Sequence, residues 1–202
     1  MQKLAGAVSP RVFGFAGWSG AGKTTLIVKL LGELSARGLR VSLVKHAHHD
    51  FDIDTPGKDS HRHRLAGAQE VLVSSRNRFA LIRELRGQPE LTLGQAIGRL
   101  SACDLVLIEG YKRARLPKLE VWRAAVGKPM LQAADANIVA VATDDPWPHA
   151  GQEWRPLTCF SLSDTLGIAD FVVREAIPVA ELTEPLMPLD DHGGVSSGRN
   201  SD

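Results

Sequence analysis

The feature that most constrains this chain is a glycine-rich stretch at residues 17–24, Gly-Trp-Ser-Gly-Ala-Gly-Lys-Thr, which stands between two different hydrophobic patterns. Residues 12–16 before it form a short apolar run that is typical of a buried strand. The apolar residues after it recur at helical spacing, at Leu26, Ile27, Leu30, Leu31 and Leu34. Gly38 then stands where a helix C-terminal cap belongs, and residues 41–44 resemble another strand. This order predicts an α/β fold with a mostly parallel sheet flanked by helices.

The spacing Gly-x-x-x-x-Gly-Lys-Thr predicts that the glycine-rich stretch is a phosphate-binding loop. Glycines let backbone N–H groups turn towards phosphate oxygens, and the N-terminus of the following helix adds the positive end of its dipole. We expect Lys23 to reach the β- and γ-phosphates, Thr24 to ligate Mg²⁺ through its hydroxyl, and Thr25 to contact the α-phosphate. The predicted nucleotide contacts are Gly17, Trp18, Ser19, Gly20, Ala21, Gly22, Lys23, Thr24 and Thr25.

A phosphate loop needs a second anchor for magnesium at the end of a neighbouring strand. Glu109 follows the apolar run at residues 105–108, so we expect it at the carboxyl end of a central parallel strand, where ligands gather in open α/β sheets. We therefore predict Thr24 and Glu109 as the Mg²⁺ ligands, and Lys23 and Glu109 as catalytic residues. Gly110 would let the backbone approach the γ-phosphate. Asp104 begins the same run at its other end, which favours a structural role.

Residues 45–54, Lys-His-Ala-His-His-Asp-Phe-Asp-Ile-Asp, hold three His and three Asp just after the second predicted strand. Three interpretations are open for this segment. The first is a switch-like loop, in which Asp50 or Asp54 lies near Mg²⁺ or orients water. The second is a transition-metal site built on imidazoles. The third is a solvated polar loop. Structural zinc usually recruits Cys or spaced His pairs, and no cysteine is near in sequence. We name Asp50 as a candidate catalytic residue and His46 and His48 as candidate nucleotide contacts.

Basic residues after this loop form a second set with two interpretations. The run at residues 58–64 joins further cations at Arg76, Arg78, Lys112, Arg113 and Arg115. They either form a cationic rim beside the nucleotide, suited to an anionic second ligand or an acidic partner, or they are solvated helix and loop faces. The rim hypothesis places Lys58, Arg78 and Lys112 beside the phosphate site.

The rest of the chain predicts further elements of one domain over residues 11–183. We expect helices at 58–68, around 93–100 and at 163–176, and strands at 71–73, 79–82, 118–122, 138–142 and 157–160. Residues 1–10 form an N-terminal extension. Residues 184–202 are rich in Pro, Gly, Ser and Asp, which predicts a disordered tail.

Composition and charge argue against several classes of protein. The net charge of +1 gives no field that would attract nucleic acid or an anionic membrane. No apolar run approaches the roughly 20 residues of a membrane span, and residues 1–10 lack the apolar core of a secretory signal. Cys103 and Cys159 stand apart in apolar stretches, which favours reduced, buried thiols. We therefore expect a cytoplasmic protein with no nucleic-acid or membrane partner.

Four motifs together resemble one family. Besides the glycine loop, they are Lys45-His46-x-His48-His49-Asp50, Pro56-Gly57-Lys58-Asp59-Ser60 and Leu107-Ile108-Glu109-Gly110-Tyr111-Lys112. Over roughly residues 11–177 the chain resembles the molybdopterin-guanine dinucleotide biosynthesis protein B family. A phosphate loop alone is shared by many families, whereas the His-rich loop followed by Pro-Gly-Lys-Asp-Ser is much more specific.

The resemblance implies a GTP-binding protein of the P-loop NTPase class, which also includes dethiobiotin synthetase and metallochaperone GTPases. It implies GTP and Mg²⁺ as cofactors, with the His46 to Asp50 loop near the γ-phosphate. It further implies a homodimer that assists a guanylyltransferase, the enzyme that joins GMP to molybdopterin, and molybdopterin is a further candidate ligand. Intrinsic hydrolysis is expected to be slow, because no motif supplies a Gln or an Arg finger. The strands at 79–82 and 118–122 are candidate edges for pairing across a two-fold axis.

The base-recognition residue and two other functions stay open at this point. GTPases of this class often carry Asn-Lys-x-Asp, in which the Asp forms hydrogen bonds with guanine. Here the strand at 138–142 ends in Thr143-Asp144-Asp145, and Asp144 is the candidate for that role.

One alternative function is a small-molecule kinase or ATP-dependent ligase of the dethiobiotin synthetase type. The other is a metallochaperone GTPase that uses the His-rich loop.

Overall fold

A seven-stranded, mostly parallel sheet organises the chain in this computed structural model, which describes residues 9–47, 51–111, 113–146, 153 and 155–182. In chain order the elements are β1 (Arg11–Ala16), α1 (Lys23–Ala36), β2 (Val41–Lys45), α2 (Asp59–Leu65), β3 (Glu70–Ser74), β4 (Phe79–Arg83), α3 (Leu93–Ile97), β5 (Leu105–Glu109), β6 (Lys118–Val121), β7 (Ile138–Ala142), β8 (Thr158–Phe160), α4 (Thr165–Glu175) and β9 (Ile177–Pro178). The expected disorder of residues 184–202 lies outside the described residues.

The sheet order places β1 near its centre. Six parallel strands follow the order β2-β5-β1-β6-β7-β8, and β9 pairs antiparallel with the start of β1. Arg11 is in register with Leu105 on one side of β1, and Gly14 with Lys118 on the other. Because the six strands run in one direction, the segments that follow them leave from the same edge of the sheet. The predicted P-loop NTPase-like class is confirmed by this topology.

Helices cover both faces of the sheet. They must do so because apolar side chains along β1 point alternately to the two faces. Phe13 and Phe15 point into a core shared with α1 and α4, whereas Val12 points into a second core shared with α3. The buried side of α1 consists of Leu26, Ile27, Leu30 and Leu34. Among the described residues, no helix is long and apolar enough to cross a membrane.

A glycine with positive φ ends both α1 and α2. Helix α1 ends where the sequence predicts, whereas α2 ends earlier than predicted. Gly38 has φ +83°, and the N–H groups of Gly38 and Leu39 donate to the carbonyls of Ser35 and Leu34. Gly67, with φ +112°, closes α2 in the same way, so the helix covers Asp59–Leu65 rather than 58–68. A left-handed glycine just after a helix allows this pair of terminal hydrogen bonds.

The expectation that residues 118–122 form an edge strand is wrong, because β6 lies between β1 and β7 and is buried along its length. Its polar residues are paired inside the fold. Lys118 Nζ lies 2.5 Å from Asp135 Oδ2, and Glu120 accepts backbone N–H groups from Leu131 and Gln132 at 2.7 and 2.8 Å. Burial raises the pKa of Glu120. Because each of these charged side chains has a partner inside the fold, the strand can lie in the interior of the sheet.

The strands β3 and β4 form a separate antiparallel hairpin, with Ser74 opposite Phe79 and Glu70 opposite Arg83. This confirms the two short strands predicted at 71–73 and 79–82. Residues on one face of the hairpin are strongly exposed although they are apolar: Leu72 is 61% exposed, Phe79 70% and Leu81 47%.

Asp104 and the cysteines take the structural roles that the sequence predicts. Asp104 accepts hydrogen bonds from the backbone N–H of Arg40 at 2.8 Å and from its guanidinium at 2.7 and 3.1 Å, which lowers the pKa of Asp104 to about 2. Cys103 is a buried free thiol, and Cys159 is a partly buried one. Burial raises the pKa of Cys159.

Candidate functional site

The chain leaves β1 at Gly17 so close to β6 that a residue with a side chain would not fit there. Gly17 has φ +136°, and a Cβ on it would lie 2.3 Å from the carbonyl oxygen of Val121 at the end of β6. Gly20 and Gly22 also have positive φ, at +81° and +102°, and Gly22 is the N-cap of α1. The loop is thereby folded against the end of β6, with the first turn of α1 at its base.

Lys23, the first residue of α1, lies across this loop. Its Nζ donates to the carbonyl oxygens of Gly17 and Trp18, both at 2.9 Å. The Trp18 indole N–H donates in turn to the carbonyl of Pro129 at 2.7 Å, which anchors the outer part of the loop. The one loop cation that the motif supplies is therefore placed over the loop backbone, where phosphate oxygens bind in sites of this kind.

Thr24 and Glu109 come together as predicted. The Thr24 hydroxyl donates to Glu109 Oε1 at 3.4 Å, and the Glu109 side chain is only 9% exposed at the carboxyl end of β5. Two neighbouring oxygens on one octahedral Mg²⁺ are about 2.9 Å apart, which is close to the 3.4 Å between this hydroxyl and this carboxylate oxygen. Lys45 Nζ, at the end of β2, lies 3.5 Å from the same Oε1. Lys45 therefore adds a second positive charge to this side of the loop.

His46 borders the same edge. Its backbone N–H donates to the Glu109 carbonyl at 2.8 Å, its Nε2 lies 3.1 Å from Glu90 Oε2, and its ring centroid is 4.9 Å from that of Tyr111. A Cβ on Gly110 would lie 2.8 Å from His46 Cβ, so the glycine is needed for this approach. Glu90 was not predicted, because it lies between a hairpin and a helix with no motif around it.

Part of the His-rich segment cannot be placed in this site. His48, His49 and Asp50 lie outside the described residues. Asp54, the alternative to Asp50 in the switch-like hypothesis, has both carboxylate oxygens bonded to Arg64, at 2.8 and 3.1 Å, and these bonds lower the pKa of Asp54. Within the described residues, no group of three or more His, Cys, Asp or Glu is arranged to hold a metal ion.

The basic residues divide into buried and exposed members. Arg64 is not part of an exposed rim: its side chain is 11% exposed and bonds to Asp52, Asp54 and Glu84, which raise its pKa. Lys58, at the N-cap of α2, and Arg78, in the hairpin turn, are exposed. Lys112, the third rim residue, lies outside the described part of the chain.

Arg123 is a residue near the loop that the sequence analysis missed. A Cβ on Gly22 would lie 3.7–3.9 Å from three guanidinium atoms of Arg123, so this side chain reaches the end of the phosphate loop. Its Nη2 lies 3.7 Å from Asp144 Oδ2. No motif marks Arg123, and only the pairing of β1 with β6 reveals its position.

Asp144 follows β7 on the same edge of the sheet. Its Oδ1 accepts hydrogen bonds from the Ser161 hydroxyl at 3.0 Å and from the backbone N–H of Leu162 at 2.9 Å. The neighbouring Asp145 accepts the backbone N–H of Ala124 at 2.8 Å. The Asp-Asp pair therefore connects the ends of β6, β7 and β8, and the side chain of Asp144 remains about half exposed.

Comparisons with known proteins agree on one family. The sequence model of the family described as molybdopterin guanine dinucleotide synthesis protein B, MobB, matches residues 12–144. The chain is 40% identical over 174 residues to the molybdopterin-guanine dinucleotide biosynthesis adapter protein of Escherichia coli K12, covering 85% of this chain and 96% of that protein. It is 42% identical over 136 residues to the Haemophilus influenzae protein of the same name, covering 67% and 75%. A crystal structure of molybdopterin-guanine biosynthesis protein B matches with a TM-score of 0.62 and 28% identity, covering 81% of this chain and 98% of that one.

Two glycines of the loop provide a matched test of the site. Both have positive φ, but a Cβ meets the Val121 carbonyl at Gly17 and nothing within 4 Å at Gly20. We expect Gly20→Ala to lower the free energy of unfolding by about 1 kcal/mol through backbone strain alone. We expect Gly17→Ala to lower it by ~3 kcal/mol and to weaken triphosphate binding more than tenfold, because the loop must move off β6. Urea denaturation and calorimetry measure both effects, and equal behaviour of the two variants would contradict this geometry.

Proposed function

The chain belongs to the molybdopterin guanine dinucleotide synthesis protein B family, and we propose that it is a GTP-binding adapter in the biosynthesis of the guanine dinucleotide form of the molybdenum cofactor. Its role there is to assist a guanylyltransferase that joins GMP to molybdopterin. The observation that supports this most directly is the meeting of Thr24 and Glu109 beside Lys23, in a chain similar over most of its length to proteins named as adapters.

The residues present suit a bound triphosphate with Mg²⁺. The loop from Gly17 to Thr25 supplies backbone N–H groups and Lys23, and Thr24 and Glu109 supply hard oxygen ligands of the kind that Mg²⁺ prefers. When bound, Mg²⁺ neutralises negative charge on the β- and γ-phosphates. His46, which contacts Glu109 and Glu90, lies at the metal side of this site; Asp50 stays the candidate catalytic residue and His48 a candidate nucleotide contact.

We expect intrinsic hydrolysis to be slow, at ~10⁻⁴–10⁻² s⁻¹, in the range of unstimulated GTPases. Asp54 is occupied by Arg64, and the motif places no glutamine beside the γ-phosphate. Slow turnover suits an adapter, because GTP is then retained while the partner enzyme acts.

Asp144 is the proposed guanine-recognition residue. It follows β7 and its carboxylate is about half exposed: Oδ1 accepts from Ser161 and Leu162, and Oδ2 lies 3.7 Å from Arg123 Nη2. A carboxylate accepts N–H groups from guanine N1 and N2, and each carboxylate oxygen has capacity for two hydrogen bonds. Adenine offers no such pair of donors.

Base choice is tested by a nucleotide competition series. We expect GTP to compete at least tenfold better than ATP in the wild type, because Asp144 accepts two N–H groups from guanine and adenine offers no such pair. Asp144→Asn exchanges an acceptor for an amide donor, so GTP should lose affinity and xanthosine triphosphate, with a carbonyl in place of the amino group, should gain it. The control is Ser161→Ala, which removes a neighbour of Asp144 and keeps the carboxylate. Equal competition by ATP in the wild type would favour the kinase or ligase function instead.

The adapter role is tested in a reconstituted guanine-dinucleotide assay. We expect this protein with GTP to increase product formation by the guanylyltransferase, and Arg78→Glu to weaken that increase severalfold while leaving GTP affinity unchanged. The matched control is Arg174→Glu, an exposed arginine in the last turn of α4. Full stimulation by the Arg78 variant would mean that the partner docks elsewhere, and no stimulation by the wild type would contradict the adapter role.

The hairpin is the proposed interface of a homodimer. A two-stranded hairpin is marginally stable by itself, and this one exposes a row of apolar side chains on one face. In the described residues β3 and β4 pair only with each other, so each has an unpaired edge. A second copy of the chain offers the same face and edges, which suits a two-fold contact. The contact would cover Leu72, Phe79 and Leu81.

Light scattering tests the dimer with two leucines of equal exposure. Leu72 on the hairpin is 61% exposed and Leu166 on α4 is 60% exposed. We expect the wild type and Leu166→Asp to have twice the 21.8 kDa chain mass at micromolar concentration, and Leu72→Asp to have the single-chain mass. A charge in an apolar interface is strongly unfavourable, whereas on a solvated helix face it is not. A monomeric wild type, or a dimeric Leu72→Asp variant, would exclude this interface.

A further inference from the structure

The end of β6 presents a cation to the phosphate loop, on the side opposite to Glu109. β1 lies between β5, which carries Glu109, and β6, which is followed by Arg123. The Arg123 guanidinium comes within 3.7–3.9 Å of the place that a Cβ on Gly22 would take. We propose that Arg123 is a second phosphate-binding cation and that it contacts the α-phosphate of the bound nucleotide. This inference rests on the proposed nucleotide-binding function.

The backbone around Arg123 is held on both sides. Trp122 before it is buried, and its indole N–H donates to the carbonyl of Lys128 at 2.9 Å. Ala124 after it donates its N–H to Asp145 Oδ2 at 2.8 Å. The side chain itself is 47% exposed. Arg123 is thus a half-exposed cation on a fixed backbone, which lowers the entropy lost when a ligand binds.

Strand order indicates which phosphate Arg123 meets. Along the edge of the sheet, β5, β1, β6 and β7 bring Glu109, the glycine loop, Arg123 and Asp144 in that order. Neighbouring strands are about 4.8 Å apart. Magnesium at Thr24 and Glu109 marks the β- and γ-phosphate side, and the base is assigned to Asp144. The part of a nucleotide that crosses β6 between them is the α-phosphate.

The pairing of Arg123 with Asp144 does not compete with this role. Their closest N···O distance is 3.7 Å, and both side chains are about half exposed, so the ion pair is weak. A phosphate offers the planar guanidinium two oxygens at once, which is a stronger arrangement. The same arginine then lies between the phosphate and the residue assigned to the base.

The test compares GTP, GDP and GMP, which share the guanosine and the α-phosphate and differ in the β- and γ-phosphates. We expect Arg123→Ala and Arg123→Gln to lower the affinity for all three nucleotides by a similar factor. That factor is roughly tenfold to a hundredfold, as for loss of a charge-assisted hydrogen bond. Arg123→Lys should recover part of the affinity, since lysine keeps the positive charge but cannot donate two parallel hydrogen bonds as the guanidinium does. Lys23→Ala should instead weaken GTP and GDP far more than GMP. Competition against a fluorescent GTP analogue measures the affinities, and Arg174→Ala is the control with unchanged values.

Each outcome decides a different claim. Unchanged affinities in both neutral Arg123 variants, with wild-type GTP binding intact, would overturn the role of Arg123 and leave the proposed function standing. A loss confined to GTP would overturn the α-phosphate assignment, because the guanidinium would then face the γ-phosphate. A melting temperature that falls in parallel with affinity, in the Gln as well as the Ala variant, would mean a structural role and would also overturn it. Absence of GTP binding in the wild type would instead refute the proposed function.

Discussion

The contact between Gly17 and the carbonyl oxygen of Val121 is the one on which the rest of the site depends. A Cβ at 2.3 Å from that oxygen is impossible, so the chain leaves β1 against β6 only because residue 17 is glycine. From this crossing the loop turns back to start α1 at Lys23. The proposed metal side and the proposed α-phosphate side of the loop are then fixed by the two neighbours of β1, which are β5 and β6.

Local patterns predicted the elements that carry their own signal in the sequence. The apolar run, the glycine loop and the helical spacing correctly placed β1 and α1, and the carboxylate after residues 105–108 correctly placed Glu109 at the end of a buried strand. The meeting of Thr24 with Glu109 followed from parallel strand geometry, because the carboxyl ends of adjacent parallel strands share an edge. Each of these features follows from a local sequence pattern together with a general rule of parallel sheets.

The features that the sequence did not predict depend on contacts between distant residues. Residues 118–122 were predicted to be an edge strand, but the partners of Lys118 and Glu120, which are Asp135 and the N–H groups of Leu131 and Gln132, come from the β6–β7 connection. Once those partners are supplied, burial of both charges is tolerated and the strand can occupy the interior. Arg123 was missed for the same reason, because its position beside Gly22 exists only if β6 is the neighbour of β1.

Two arginines show how the environment, and not the residue type, distinguishes a structural cation from the proposed phosphate-binding one. Arg64 is 11% exposed and bonded to three carboxylates, so its charge is already compensated and it organises the segment around α2. Arg123 is 47% exposed, on a backbone held from both sides, with one acidic neighbour at 3.7 Å. A charge compensated by several short hydrogen bonds has little interaction left for a ligand, whereas a loosely paired one can exchange its partner at small cost. The net charge of the chain is only +1, so the whole protein attracts an anionic nucleotide weakly. The attraction therefore depends on the position of loosely paired cations, and Arg123 is such a cation beside the glycine loop.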